Sequence, residues 1–147
     1  MDSNNSLLLN KKTSIRTTVF IVIVVAVFII VINLYGEKDP VVNVLSDRIE
    51  VEAMYGISIN LTEIKDFSLL DESMNDIGVG VRTNGFGGIG GALKGSFRSD
   101  SGEMLLFVHA NSAPTIRIQR ENGSPVFISF GDSDKTTMLY NEILENY

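Results

Sequence analysis

The sequence predicts a mainly β protein: an antiparallel barrel of seven or eight short strands, capped by one C-terminal helix and preceded by one N-terminal transmembrane helix. Three observations carry this. Residues Thr17 to Gly36 form an unbroken uncharged run; from Arg48 to Phe130 apolar residues recur at period two between tight-turn signals; and beyond Asp132 the period lengthens to three and four.

The uncharged run "TTVFIVIVVAVFIIVINLYG" is twenty residues long, and at 1.5 Å per residue a helix of that length covers ~30 Å of hydrocarbon. Its many β-branched residues would favour a strand in water. In lipid a single segment must satisfy its own backbone hydrogen bonds, so a helix is expected. The run exceeds a signal-peptide core, and the following "NLYGEKDP" offers no A-x-A-like cleavage site, so the segment reads as an uncleaved signal anchor. Lys11, Lys12 and Arg16 precede it, against Lys38 and Arg48 mixed with acids after it. The positive-inside rule then makes residues 1–16 a short disordered cytoplasmic tail and sends the C-terminal domain outward.

Residues 37–46, which contain Pro40, read as a linker or edge segment, with the domain proper at 47–147. In "RIEVEAM", Ile49, Val51 and Ala53 alternate with Arg48, Glu50 and Glu52, which marks one buried and one wet face. Ile57, Ile59 and Leu61 continue the alternation after "YG", giving a hairpin. "IKDFSLLD" and "IGVGVRT" read as further strands. "LKGSFRS" and "EMLLFVHA" flank the turn "DSG", and "TIRIQR" and "VFISF" flank "ENGSP", whose Asn-Gly pair is the strongest hairpin signal in the chain. Asp132 then fits an N-cap and Asp134 the positive end of a helix dipole. Leu139, Tyr140, Ile143, Leu144 and Tyr147 form one apolar stripe suited to covering the open end of a barrel.

Composition excludes several functions. There is no cysteine, hence no disulfide, thiolate nucleophile or cysteine metal site. Glu37 to Tyr147 carries nine basic and seventeen acidic residues, a net charge of −8. Nucleic acid is therefore not an expected partner, and neither is an anionic lipid surface bound by charge.

"MYGISINLTEIKDFSLL", "RTNGFGGIGGALKGSF", "LLFVH" with "PTIRI", and "FGDSDKTTMLYNEI" together make the chain resemble the membrane-anchored bacterial pleckstrin-homology-like (PH-like) domain proteins of Gram-positive bacteria. The resemblance covers Arg48 to about Leu144 and implies a PH-like barrel with a capping helix; it implies no chemistry and carries over no catalytic residue. Phosphoinositide-reading PH domains place Lys and Arg around the loop joining their first two strands. Here that loop is "YG", bordered by Glu52 and Met54, so no phosphoinositide site is expected.

Gly85 to Gly90, "GFGGIG", matches the dinucleotide fingerprint G-x-G-x-x-G, but the fingerprint requires a following helix, and Gly91 and Gly95 argue against one. The preferred reading is structural: glycines permit a bend, a bulge or close approach of another backbone. A second reading makes the segment a contact loop, with Phe86 and Ile89 as apolar contacts and Gly87 and Gly88 as hinges. His109, the only histidine, ends an apolar strand and is expected to pack or bond there. Asp132 and Asp134 with Glu103 or Glu121 lack the spacing of a calcium loop. No catalytic, cofactor or metal residue is expected. The functional expectation is a single-pass, non-enzymatic protein-binding or scaffolding module whose partner is an envelope protein. The alternative is a small-ligand or lipid-contacting domain using the glycine loop and barrel mouth, and an enzyme of unknown class comes third.

Overall fold

A computed structural model describes residues 3–147. They fall into two units, one ending at Tyr35 and one running from Gly36 to Tyr147.

The first unit is helical. Helix α1 covers Ser3–Gly36, so residues 3–16 are helical where the sequence suggested a disordered tail; Met1 and Asp2 lie outside the described residues. Leu7 to Leu9 and Lys11 and Lys12 are good helix formers, and extending an existing helix costs far less than nucleating one. Within Ser14–Gly36 an 18-residue window reaches a mean hydropathy of 3.0, and no residue of that window is buried in protein. It is long and apolar enough to cross a membrane, a property that a signal sequence shares.

The second unit is mainly β, with two sheets. The smaller contains β1 (Val41–Val44), β2 (Arg48–Glu52) and β3 (Ile57–Asn60), in that order and antiparallel. Strand β1 lies within the expected linker, so the folded unit begins earlier than residue 47. After a 3-10 turn at Leu61–Glu63 the chain enters the larger sheet. Its strands are β4 (Ile64–Leu70), β5 (Val81–Gly87), β6 (Ala92–Ser99), β7 (Gly102–His109), β8 (Thr115–Arg120) and β9 (Val126–Ile128), ordered β4-β8-β9-β7-β6-β5. Helix α2 (Met74–Ile77) is one turn, and α3 (Ser133–Asn146) ends the chain.

The expected barrel is corrected in three respects. There are nine strands among the described residues, and the larger sheet stays open, with β4 and β5 at opposite edges. The pairing is not wholly antiparallel either: the chain passes from β7 to β8 and returns through the Asn-Gly hairpin to lay β9 between them, parallel to β7. The physical reason lies in the central strands β7 and β9, which are buried on both faces. On one face Ile116, Ile118, Val126, Ile128 and Phe107 meet Ile49, Val51 and Ile59 of the smaller sheet and Leu139 and Ile143 of α3. On the other, Phe97, Met104, Leu106, Val108 and Phe127 meet Met74 of α2. Central strands covered on both sides pack between two layers rather than around a barrel interior.

The first half of the expected strand "IGVGVRT" is not extended: Ile77 ends helix α2, and Gly78 to Gly80 are irregular before β5 begins at Val81. Ser73 and Asp76 form a reciprocal capping box, and Gly78 and Gly80, both at positive φ, keep the chain from extending before Val81. Helix α3 starts where expected, with the Asp132 carboxylate accepting from the Asp134 N–H at 2.9 Å. It lies over the core between the sheets. Tyr140 and Tyr147 pack on Phe67 of β4, while Leu144 of the expected stripe faces solvent.

Ile143 is fully buried and Leu144 is 57% exposed, although both belong to the predicted stripe. Ile143→Ala is expected to lower the unfolding free energy by roughly 2–5 kcal/mol and Leu144→Ala by less than about 0.5 kcal/mol, measured by denaturant unfolding.

Candidate functional site

The most unusual surroundings in the β unit belong to Gly36, Glu37, Lys38 and Asp39, which lead from α1 into β1. The chain there is not a free linker. It forms a strap over β6 and the glycine-rich β5–β6 hairpin, held by three sets of contacts.

The first is Lys94, in the middle of β6 and only 3% exposed. Its ammonium donates to the Gly36 carbonyl at 2.7 Å and also to the Lys38 carbonyl. Burial pushes its pKa below the ordinary lysine value, opposed by the nearby Asp39 and Glu37 charges. The second is the Glu37 carboxylate, which accepts from the Gly90 N–H at 2.6 Å and the Ala92 N–H at 3.4 Å. The third is Asp39, which accepts from Lys135 Nζ at 3.2 Å and the Gly131 N–H at 3.4 Å, with His109 Nε2 at 4.0 Å.

The glycines follow from this docking. A Cβ at Gly88 would stand 1.8 Å from Glu37 Oε1, and one at Gly90 2.6 Å from Glu37 Oε2. A Cβ at Gly36 would stand 2.2 Å from the Phe86 ring. Farther along the hairpin, Gly85 and Gly95 let β5 and β6 approach so closely that a Cβ at either would meet a partner-strand carbonyl oxygen at 2.3 or 2.5 Å. The G-x-G-x-x-G match is therefore a strand, a tight turn and a returning strand, with no helix to receive a pyrophosphate.

The candidate contact loop divides. Phe86 is half-buried against Gly36, Gly88 is half-buried against Glu37, Gly87 is exposed, and Ile89 stands 95% exposed at the tip. His109 is half-buried at the end of β7, and the fold brings it an acid, Asp39, that sequence proximity did not suggest. The hydroxyl closest to it by hydrogen bonding, Ser129 Oγ, donates to the His109 carbonyl at 3.4 Å rather than meeting the ring. The acidic candidates serve separate ends: Asp132 caps α3, Glu103 pairs with Arg98, and Glu121 lies exposed in the β8–β9 turn. Among the described residues no group of three or more His, Asp or Glu side chains is gathered as for a metal ion.

A groove of about 410 Å³ lies away from the strap, lined by Met74, Met104, Phe127, Arg117 and Gln119 among others. The Arg117 guanidinium donates to Gln119 Oε1 at 3.1 Å.

No protein-family model, curated protein or solved structure matches this chain.

Sequence reasoning missed Glu37, Asp39 and Lys94. The first two sat in a stretch that read as a linker or edge segment, and Lys94 fell on the face of β6 that is wet until a strap covers it. The available signal was Lys94 flanked by Leu93 and Gly95 in an otherwise uncharged strand start.

Lys94→Met removes both donors to the strap and is expected to weaken its docking by roughly 1–3 kcal/mol. Trypsin cleavage after Lys38 should then accelerate by ~5- to 150-fold, as read from the fragment pattern of full-length protein. A pH dependence accompanies it. The folded-state value lies below the 10.5 of a free lysine, so between the two values the unfolded chain binds more protons and stability rises with pH. The neutral amine still donates to both carbonyls. The stability advantage of wild type over Lys94→Met should therefore widen as pH climbs from the lowered folded-state value toward 10.5, measured by denaturant unfolding at each pH.

Proposed function

We propose that this protein is a single-pass membrane-anchored module that binds a protein partner and performs no chemistry of its own. The observation that carries the reading is the strap: the residues that follow the apolar helix are built into the β unit by Lys94, Glu37 and Asp39, so the domain begins where the candidate span ends. Such a joint suits a module displayed at a surface. The length of the apolar run and the absence of an A-x-A-like site support an uncleaved anchor, and the basic residues before the run support a cytoplasmic N-terminus with the domain outside.

Kinship with bacterial PH-like proteins belongs to this proposal. Its support is the order of many strands followed by one C-terminal helix, from which the open larger sheet and the parallel β7–β9 pair depart. The β2–β3 turn, Ala53–Gly56, carries no Lys or Arg, which speaks against phosphoinositide recognition there.

The partner surface we favour is the edge strand β5. It pairs only with β6, and its first four residues, Val81 to Asn84, are exposed, Val81 to 72%. An extended peptide of an envelope protein could add there, bonding main chain to main chain. The opposite edge is less free: the Tyr147 hydroxyl donates to the Ile64 carbonyl of β4 at 3.2 Å. A non-enzymatic reading also fits the lone histidine, whose acid neighbour Asp39 is shared with Lys135 and whose nearby serine is turned to a carbonyl.

A second reading, a small-ligand module, draws on the groove beside Met74. Its apolar lining with Arg117 at one side suits an amphiphilic anion. It does not use the glycine loop, whose turn is filled by Glu37.

A photo-crosslinking residue at Val81 is expected to trap one discrete protein adduct in native membranes, and the same residue at Glu145, on the exposed side of α3, none. An indiscriminate ladder from both sites would count against edge recognition. Protease added to right-side-out vesicles is expected to digest the domain; full protection would reverse its side.

A further inference from the structure

We propose that the tip of the β5–β6 hairpin, with Ile89 at its apex, is a second membrane contact that inserts into the lipid interface beside the point where the chain leaves the bilayer. The inference rests on the reading of α1 as an anchor.

Ile89 is 95% exposed, more than any other large hydrophobic residue of the β unit. Exposed apolar residues scattered singly are ordinary, but this one is not scattered. It projects from a turn flanked by Gly88 and Gly90, both in contact with the Glu37 carboxylate, and Glu37 is the first residue after the apolar stretch. Chain connectivity therefore keeps the tip close to the chain's exit from hydrocarbon, within reach of the headgroup layer that flanks a ~30 Å apolar core. The stretch from Thr83 to Leu93 carries no charge. Of the charges near the turn, the Glu37 carboxylate is occupied by the Gly90 and Ala92 N–H groups and the Lys94 ammonium by strap carbonyls, while the exposed Arg82 guanidinium lies against Gly87 on a long stem that can keep its charge in the headgroup layer. The acidic domain lacks the basic patch that binds anionic headgroups by charge, so an apolar tip is the contact its composition permits. Phe86 faces inward on Gly36 and is spent on the strap, which leaves Ile89 as the inserting side chain.

The chain has no tryptophan, so a single Trp reports on its own position. Full-length Val25→Trp, Ile89→Trp and Val81→Trp are reconstituted in phosphatidylcholine vesicles with plain or brominated acyl chains. Position 81 begins the seven-residue strand β5, about 20 Å from the turn. Loss of most emission at 25 and 89, with 81 unquenched, is the expected result. Quenching at 25 with 89 as bright as 81 overturns the tip contact and leaves the anchor standing. No quenching at 25 overturns the anchor, and this proposal with it; equal quenching at all three overturns a contact specific to the tip. Tryptophan itself prefers interfaces, so Ile89→Asp supplies an independent reading. In vesicles, amide exchange across residues 86–93 should be faster in that variant than in the native chain, and equal rates would overturn the proposal.

Discussion

An ammonium taken out of water must be given oxygens, and much of the β unit's local design follows from how Lys94 obtains them. Its strand neighbours have committed their carbonyls to the ladder, so the oxygens come from elsewhere in the chain, the Gly36 and Lys38 carbonyls. Bringing those two carbonyls over β6 commits the backbone between them. Glu37 is then directed at the hairpin turn, where its carboxylate finds two N–H groups, and Asp39 is directed at the start of α3 and the end of β7. A buried lysine lacking such partners would be costly enough to lose its proton or unfold the site. With them, the segment after α1 becomes the opening part of the fold.

The same logic explains why glycine is concentrated in one hairpin. Two different demands meet there. Gly88 and Gly90 make room for a carboxylate brought from about fifty residues earlier, whereas Gly85 and Gly95 make room for the opposite strand's own backbone. Neither demand involves a nucleotide, and neither is visible in a fingerprint of glycine spacing. The spacing alone could say that side chains are excluded; only the fold says what excludes them.

Legibility in the sequence divided along physical lines. Strands with one wet face, such as Arg48–Glu52, announced themselves through strict alternation, and α3 through its cap and its three-four period. Strands buried on both faces were marked instead by the turns that flank them. "EMLLFVHA" and "VFISF" are nearly continuous apolar runs, and that continuity was the available sign that these central strands are covered on two sides. The capping pair Ser73 and Asp76 was equally present in the sequence, but the apolar alternation of Ile77, Val79 and Val81 overrode it, because two positive-φ glycines that break a strand look the same in sequence as two that merely sit in one. The strap was illegible for a different reason: Glu37, Asp39 and Lys94 acquire meaning only as a set, and charged residues far apart in sequence carry no pattern that links them.

A loop already occupied by its own chain cannot also be a general binding site without first releasing that occupant. The glycine turn holds Glu37 in its backbone N–H groups, so any ligand entering there must compete with a carboxylate tethered at high effective concentration. An external partner gains more from surface the fold leaves unpaired. On this unit such surface includes the outer edge of β5, whose peptide groups have no strand beyond them, and the groove beside Met74, where Arg117 borders an apolar wall. The hairpin thus has two ends with opposite commitments. Its turn is bound inward to the strap except at Ile89, and the start of its outer strand is free, which separates the part that fixes the module from the part available to others.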